Sequence, residues 1–287
     1  MRMRIENQRQ STNIEDRRGM RGPAAVGGGG IGLVLIVLLI SWLTGTNPLA
    51  LLQLTSGVQR SSPPAESVPT GAVGNDPQAR FIGAALGDME ETWSEIFAKA
   101  GDRYQPPVLV LFTDAVQSAC GTASSATGPF YCPADSKVYL DLSFFRELDQ
   151  NFGAPGDFAQ AYVVAHEVGH HIQNVLGTNA QVSRLQQQAA KAQANDLSVR
   201  LELQADCYAG VWGHFAAQQN MLEPGDVDEG LRAAAAIGDD RLQRQTQGRV
   251  VPESFTHGTS EQRAYWLRQG LTSGRVEDCD TFKATSR

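Results

Sequence analysis

The stretch AHEVGHHIQ, residues 165–173, limits the fold more than any other part of the chain. His166 and His170 stand four apart, a spacing that puts both imidazoles on one face of an α-helix, where they can share one cation. Glu167, next to the first histidine, can bring its carboxylate to the open position of the metal. Zinc held in this way lowers the pKa of its water to roughly 7, and the glutamate can take the proton. The flanking sequence FAQAYVVAHEVGHHIQNVLG reads as a helix in its own right, with Asp157 as N-cap and Gly177 as its end. A di-iron carboxylate site would need two Glu-x-x-His pairs on different helices, and Glu167 to His170 is the only such pair in the sequence.

The third ligand decides the type of site. A metzincin pattern would require Gly at 173 and a ligand at 176, where this chain has Gln173 and Leu176. Further on, LELQADCYAG places Glu202 and Asp206 four apart on a helical segment. Glu202 can supply a carboxylate ligand, and Asp206 can accept a hydrogen bond from the non-ligating nitrogen of a zinc-bound histidine. The apolar flanks Leu201, Leu203, Ala205 and Tyr208 describe a half-buried helix, on which charged groups need partners.

Around this pair of motifs the chain reads as α+β. DPQARFIGAALGDMEETWSEIFAKAG carries apolar residues at helical spacing and stops at Gly101. PPVLVLFTD and KVYLDLSFF read as strands, the second running into a short helix over Phe144 to Leu148. Helices are expected over 180–219, 226–245 and 260–269.

Ahead of this lies a different composition. Residues 1–22 hold six arginines against three acidic residues, so the segment is +3 and the remainder −10 of a total of −7. An acidic body with four lysines argues against nucleic acid as partner. Gly22 to Gly45 carries no charge and is rich in branched aliphatics, so residues 23–45 predict a transmembrane helix rather than a cleaved signal peptide or a buried core helix. The positive-inside rule then makes 1–22 a basic cytoplasmic segment and puts the rest outside the cytoplasm, with the lipid bilayer as a partner. Residues 46–77, rich in Pro, Gly and Ser, predict a flexible linker, and 78–287 the folded zinc domain.

The four cysteines contain no C-x-x-C pair, which disfavours a zinc knuckle. In an exported chain their even number predicts disulfides. Of the three pairings, Cys120 with Cys132 and Cys207 with Cys279 is favoured, because the first closes a short Gly/Ser/Thr-rich loop.

HEVGHHIQ followed by ELQADCYAG resembles the Glu-zincin metallopeptidases, with their H-E-x-x-H and E-x-x-x-D motifs. With SACG, GPFYCPAD, VYLDLSFF and HGTSEQR added, the chain resembles a family of bacterial membrane-anchored neutral zinc metallopeptidases, from NIEDRRG to near Cys279. The resemblance implies a zincin-like fold, with a small sheet over the active-site helix and a mainly helical C-terminal half. It implies one Zn2+ on His166, His170 and Glu202, Glu167 as general base, Asp206 behind a histidine, and VYLDLSF as the edge strand that pairs with an extended polypeptide substrate. His257 is a candidate donor to the oxyanion, or else packs the start of the next helix, which Thr259 or Ser260 caps. Tyr208 and Tyr265 are weaker candidates for that role, while His171 and His214 read as structural or exposed. The expected activity is zinc-dependent peptide hydrolysis by a membrane-tethered extracytoplasmic enzyme. The alternative is a catalytically silent, metal-stabilised envelope factor, and hydrolysis of a non-peptide amide would use the same chemistry.

Overall fold

A computed structural model describes residues 3–5, 8–20, 69–71 and 73–283. The apolar runs VLVLF and KVYLD become strands β2 (Val108–Phe112) and β6 (Lys137–Asp141), which pair in parallel. Continuous apolarity suits strands buried on both faces, and the alternation sorts them. Leu109, Leu111, Val138 and Leu140 face the main core, whereas Val110, Phe112 and Tyr139 face a smaller cluster with Cys132 and Val116. Strand β1 (Ile14–Asp16) adds in parallel to β2, and β5 (Phe130–Cys132) adds antiparallel to β6, giving the order β1-β2-β6-β5. A hairpin of β3 (Ala115–Ser118) and β4 (Gly121–Ser124) stands beside it.

The helices are α1 (Pro77–Lys99), α2 (Phe144–Gln150), α3 (Asp157–Val175), α4 (Thr178–Gln188), α5 (Lys191–Gln218), α6 (Asp226–Ala236), α7 (Asp239–Gln247) and α8 (Ser260–Ser273). Helix α1 is capped by Asp76, whose carboxylate accepts the N–H groups of Gln78 and Ala79. Helices α3, α5 and α8 pack at close range because glycines line the contacts. A Cβ on Gly169 of α3 would lie 2.9 Å from the Ala205 carbonyl oxygen of α5, and one on Gly210 of α5 would lie 2.2 Å from that of Leu267 on α8. Both disulfides are formed: Cys120–Cys132 ties the hairpin to β5, and Cys207–Cys279 ties α5 to the last short turn of helix.

Two expectations are corrected here. The first is the membrane anchor. Among the described residues no helix is long and apolar enough to cross a membrane, and the run 23–45 lies outside them. The basic segment ahead of that run belongs to the same fold as the helices behind it. Met3, Ile5 and Ile14 are buried in the main core, and Ser11, Asn13 and Arg9 hold Glu90 of α1. The Gly71 N–H donates to the Ile14 carbonyl at 2.9 Å, so residues on the two sides of the run touch. A single crossing of a hydrocarbon layer about 30 Å thick would hold them on opposite faces. The single-pass topology, with a cytoplasmic N-terminus and the remainder outside, is therefore overturned. Charge and hydropathy could not reveal this, because the pairing of β1 with β2 joins residues about 95 positions apart in the chain.

The second correction concerns the sheet edge. Lys137–Asp141 lies inside the sheet, and the strand at that end is the shorter β5.

Candidate metal centre

Helix α3 presents His166, Glu167 and His170 toward α5, where Gly169 lets the two backbones approach. The Nε2 atoms of His166 and His170 lie 3.2 and 3.4 Å from the two carboxylate oxygens of Glu202. One ligand atom from each of the three residues falls within 4.8 Å of the others, close enough to bind one metal ion. Two imidazoles and a carboxylate, with the outer side open to a cleft, are a donor set that suits zinc.

Behind these atoms stands a buried polar network. The His166 Nδ1–H donates to Asp206 Oδ1 at 2.9 Å, and Tyr162 donates its hydroxyl to the same oxygen at 2.6 Å. Arg263 of α8, 2% exposed, donates to both oxygens of Asp206 at 2.8 and 2.9 Å. Close packing of α5 on α8 across Gly210 and Gly270 brings Arg263 within reach. His170 Nδ1 lies 2.9 Å from Oε1 of the buried Gln173.

The electrostatics favour positive charge at the three ligand atoms. Burial alone would lower the pKa of His166, but Asp206 and Glu202 carry it up to about 10. His170 is raised too, its burial outweighed by Glu202. Burial works against the Glu202 carboxylate, yet His170 and His166 hold it well below the ordinary range. Glu167, 7% exposed, is pushed the other way by burial, which the two histidines only partly offset.

The cleft in front of the cluster has a volume of about 730 Å³. Its lining includes Gly128 to Tyr131, the apolar Phe144, Phe152, Ile237 and Leu242, and the polar His257 and Glu202. His257 sits in the loop before α8 with its Nδ1 3.2 Å from Asp239 Oδ1, and Asp239 also accepts the backbone N–H groups of Thr256, His257 and Gly258. That contact raises the pKa of His257, whose side chain stays about half exposed. Thr259 is the N-cap of α8.

The remaining candidates lie elsewhere. Tyr208 is buried against Trp93, and Tyr265 is exposed beside Trp266. His171 joins Gln105 O at 2.7 Å and the Tyr131 hydroxyl at 3.1 Å, linking α3 to β5. His214 bonds the Leu271 carbonyl at 2.9 Å. Sequence reading missed Tyr162, Gln173, Asp239 and Arg263 as site residues: Tyr162 and Gln173 stand one turn from His166 and His170 on α3, a spacing it left unused, while Asp239 and Arg263 are distant in the chain. The glycines at 169, 210 and 270 are the signal it could have used, since glycine within a helix marks close approach.

The chain is 47% identical over 290 residues to Uncharacterized protein YpfJ of Escherichia coli (strain K12), covering 98% of this chain and 99% of that one. It is 48% identical over 192 residues to Uncharacterized protein Mb2605 of Mycobacterium bovis and to Uncharacterized protein Rv2575 of Mycobacterium tuberculosis, covering 63% of this chain and 64% of each. No solved structure matches at a significant level. The family described as "Putative neutral zinc metallopeptidase" matches residues 3–282, from the N-terminal segment that packs into the core to the tail beyond the second disulfide, and the chain belongs to that family.

Proposed function

We propose that the cleft is the active centre of a zinc-dependent peptidase acting on polypeptides. The observation that carries this reading is the placement of Glu167: a buried carboxyl group with a raised pKa, lining an open cleft beside a three-ligand cluster. A purely structural zinc site is closed by four ligands and has no use for such a group.

His166, His170 and Glu202 would hold the metal. Zinc bound there supplies Lewis acidity, acidifying water and polarising a carbonyl. Glu167 takes the proton of the attacking water and delivers it to the leaving nitrogen, and its raised pKa makes its carboxylate a stronger base for the first of these transfers. Asp206, clamped by Arg263, keeps the Nδ1–H of His166 turned inward and Nε2 outward. His257 gives its Nδ1–H to Asp239, which favours the protonated ring, and as an imidazolium it donates from Nε2 to the carbonyl oxygen as charge builds on it. An extended peptide pairs with the free edge of β5 by strand addition, its side chains meeting Phe144, Phe152, Ile237 and Leu242.

The test is a digest of a broad peptide library by the zinc-loaded protein and by Glu167→Gln. Retained zinc with cleavage lowered by about 10²- to 10⁴-fold is the expected result. His257→Ala should keep zinc and lose a smaller factor. A zinc-loaded wild type that cuts no peptide would sink the reading and leave the cluster a structural element.

A further inference from the structure

We infer that Gln173 is a positioning residue for His170, and that its own amide is oriented through Gln204 by the backbone at the Cys207–Cys279 disulfide. This rests on the metal-centre reading above. Gln173 lies one turn beyond His170 on α3 and is 0% exposed, so its amide must find partners inside the protein. One end of that amide lies 2.7 Å from the Leu201 carbonyl. A carbonyl only accepts, so the end facing it is Nε2. The other end, Oε1, then faces His170 Nδ1 at 2.9 Å and also only accepts. His170 therefore carries its proton on Nδ1, which leaves the Nε2 lone pair directed at the ligand cluster.

The same logic extends outward. Gln204, 6% exposed, lies 3.0 Å from the Cys279 carbonyl, so its Nε2 faces that oxygen and its Oε1 accepts from Gln173 Nε2 at 3.2 Å. Cys279 is bonded to Cys207, three residues beyond Gln204 on α5. Two backbone carbonyls, neither able to reverse its role, thus set the direction of the whole chain of amides. His166 is oriented by a charged pair, whereas His170 is oriented by neutral amides that fix the tautomer without adding charge.

The isosteric variant Gln173→Met removes the acceptor and keeps the volume. In the zinc-loaded wild type labelled with ¹⁵N-histidine, His170 should show a slowly exchanging, hydrogen-bonded Nδ1–H. In Q173M that resonance should shift and exchange quickly, the His166 signal should stay, and zinc affinity by chelator competition should fall about 10- to 100-fold. A Q173M protein with unshifted resonance and wild-type affinity overturns the inference while leaving the metal centre intact. A wild type that takes up no zinc overturns the metal-centre reading and this inference together. Should Q173M fail to fold, Gln204→Met unties the Gln173 amide from the disulfide end. It is expected to weaken zinc binding by about 3- to 10-fold, and unchanged affinity there also overturns the inference.

Discussion

Among the described residues, two clusters of ionisable side chains share one feature and differ in almost everything else. His166, His170 and Glu202 bring three ligand atoms within 4.8 Å of one another, and so do Asp157, Asp226 and Glu229. In the first, ring nitrogens are fixed from behind by Asp206 and Gln173, and the charges attract. In the second, the carboxylates serve the backbone. Asp157 and Asp226 begin α3 and α6, where negative charge suits the helix dipole, and they accept the N–H groups of Met3, Phe158 and Glu223. Glu229 has a buried oxygen without a hydrogen-bond partner among the described residues, and burial with Asp157 and Asp226 raises its pKa. Proximity alone does not tell the two clusters apart; they differ in what holds the ligand atoms in place.

That contrast can be broken most directly at Glu202. Glu202→Ala should reduce bound zinc from about one per chain to near none after dialysis, while Asp226→Asn leaves the zinc content unchanged by elemental analysis. Equal effects of the two substitutions would erase the distinction. Next in size, Asp206→Asn strands Arg263 as a buried unpaired charge and should cost about 3–5 kcal/mol in urea unfolding at pH 7. The sign with pH follows from the pKa. Burial opposes the Asp206 carboxylate, but Arg263 and His166 hold its pKa below 3.8, so its stabilisation is present above the unfolded value and lost as pH falls through the folded one. The variant should accordingly approach the wild type only in strong acid.

Smaller effects sharpen the comparison. Gly169→Ala places a methyl group against the Ala205 backbone and should cost about 1–3 kcal/mol, with looser zinc binding because α3 and α5 must part. A variant as stable as wild type with unchanged zinc affinity would show that the close approach is unnecessary. At the second cluster, Glu229→Gln should stabilise by less than about 1 kcal/mol, since its charges are partly screened by solvent. Glu229 has a raised folded pKa, so its charge weakens the fold as pH rises above the unfolded value, and the gain from the variant should vanish in acid. Melting curves at two pH values would show whether the gain is there.

Local expectations survived where one segment carried the information. Helix α3 runs over Asp157–Val175, as its apolar spacing predicts, and Gly177 follows it with φ 79°. Asp157, expected as N-cap, is instead the first helical residue, and its carboxylate accepts the Met3 N–H of the N-terminal segment. The helix expected over 180–219 is broken at Ala189, which is extended without Gly or Pro to announce it. The one over 226–245 breaks at Gly238, where Ser260 of another helix leaves no room for a Cβ. At Gly238 a distant segment overrides local preference.

By itself the sequence determined the metal-facing helix face, the pairing of H-E-x-x-H with E-x-x-x-D, and the cysteine pairing that the fold adopts. These depend on helix periodicity and on short loop closure, both written into neighbouring residues. Only the tertiary structure decided that Ile14–Asp16 complete the sheet, that β5 is its edge at the cleft, and that Arg263, Gln173 and Asp239 stand behind the site. Those partnerships join residues tens of positions apart, or turn on whether a side chain is buried, and burial is a property of the packed chain rather than of any stretch of it.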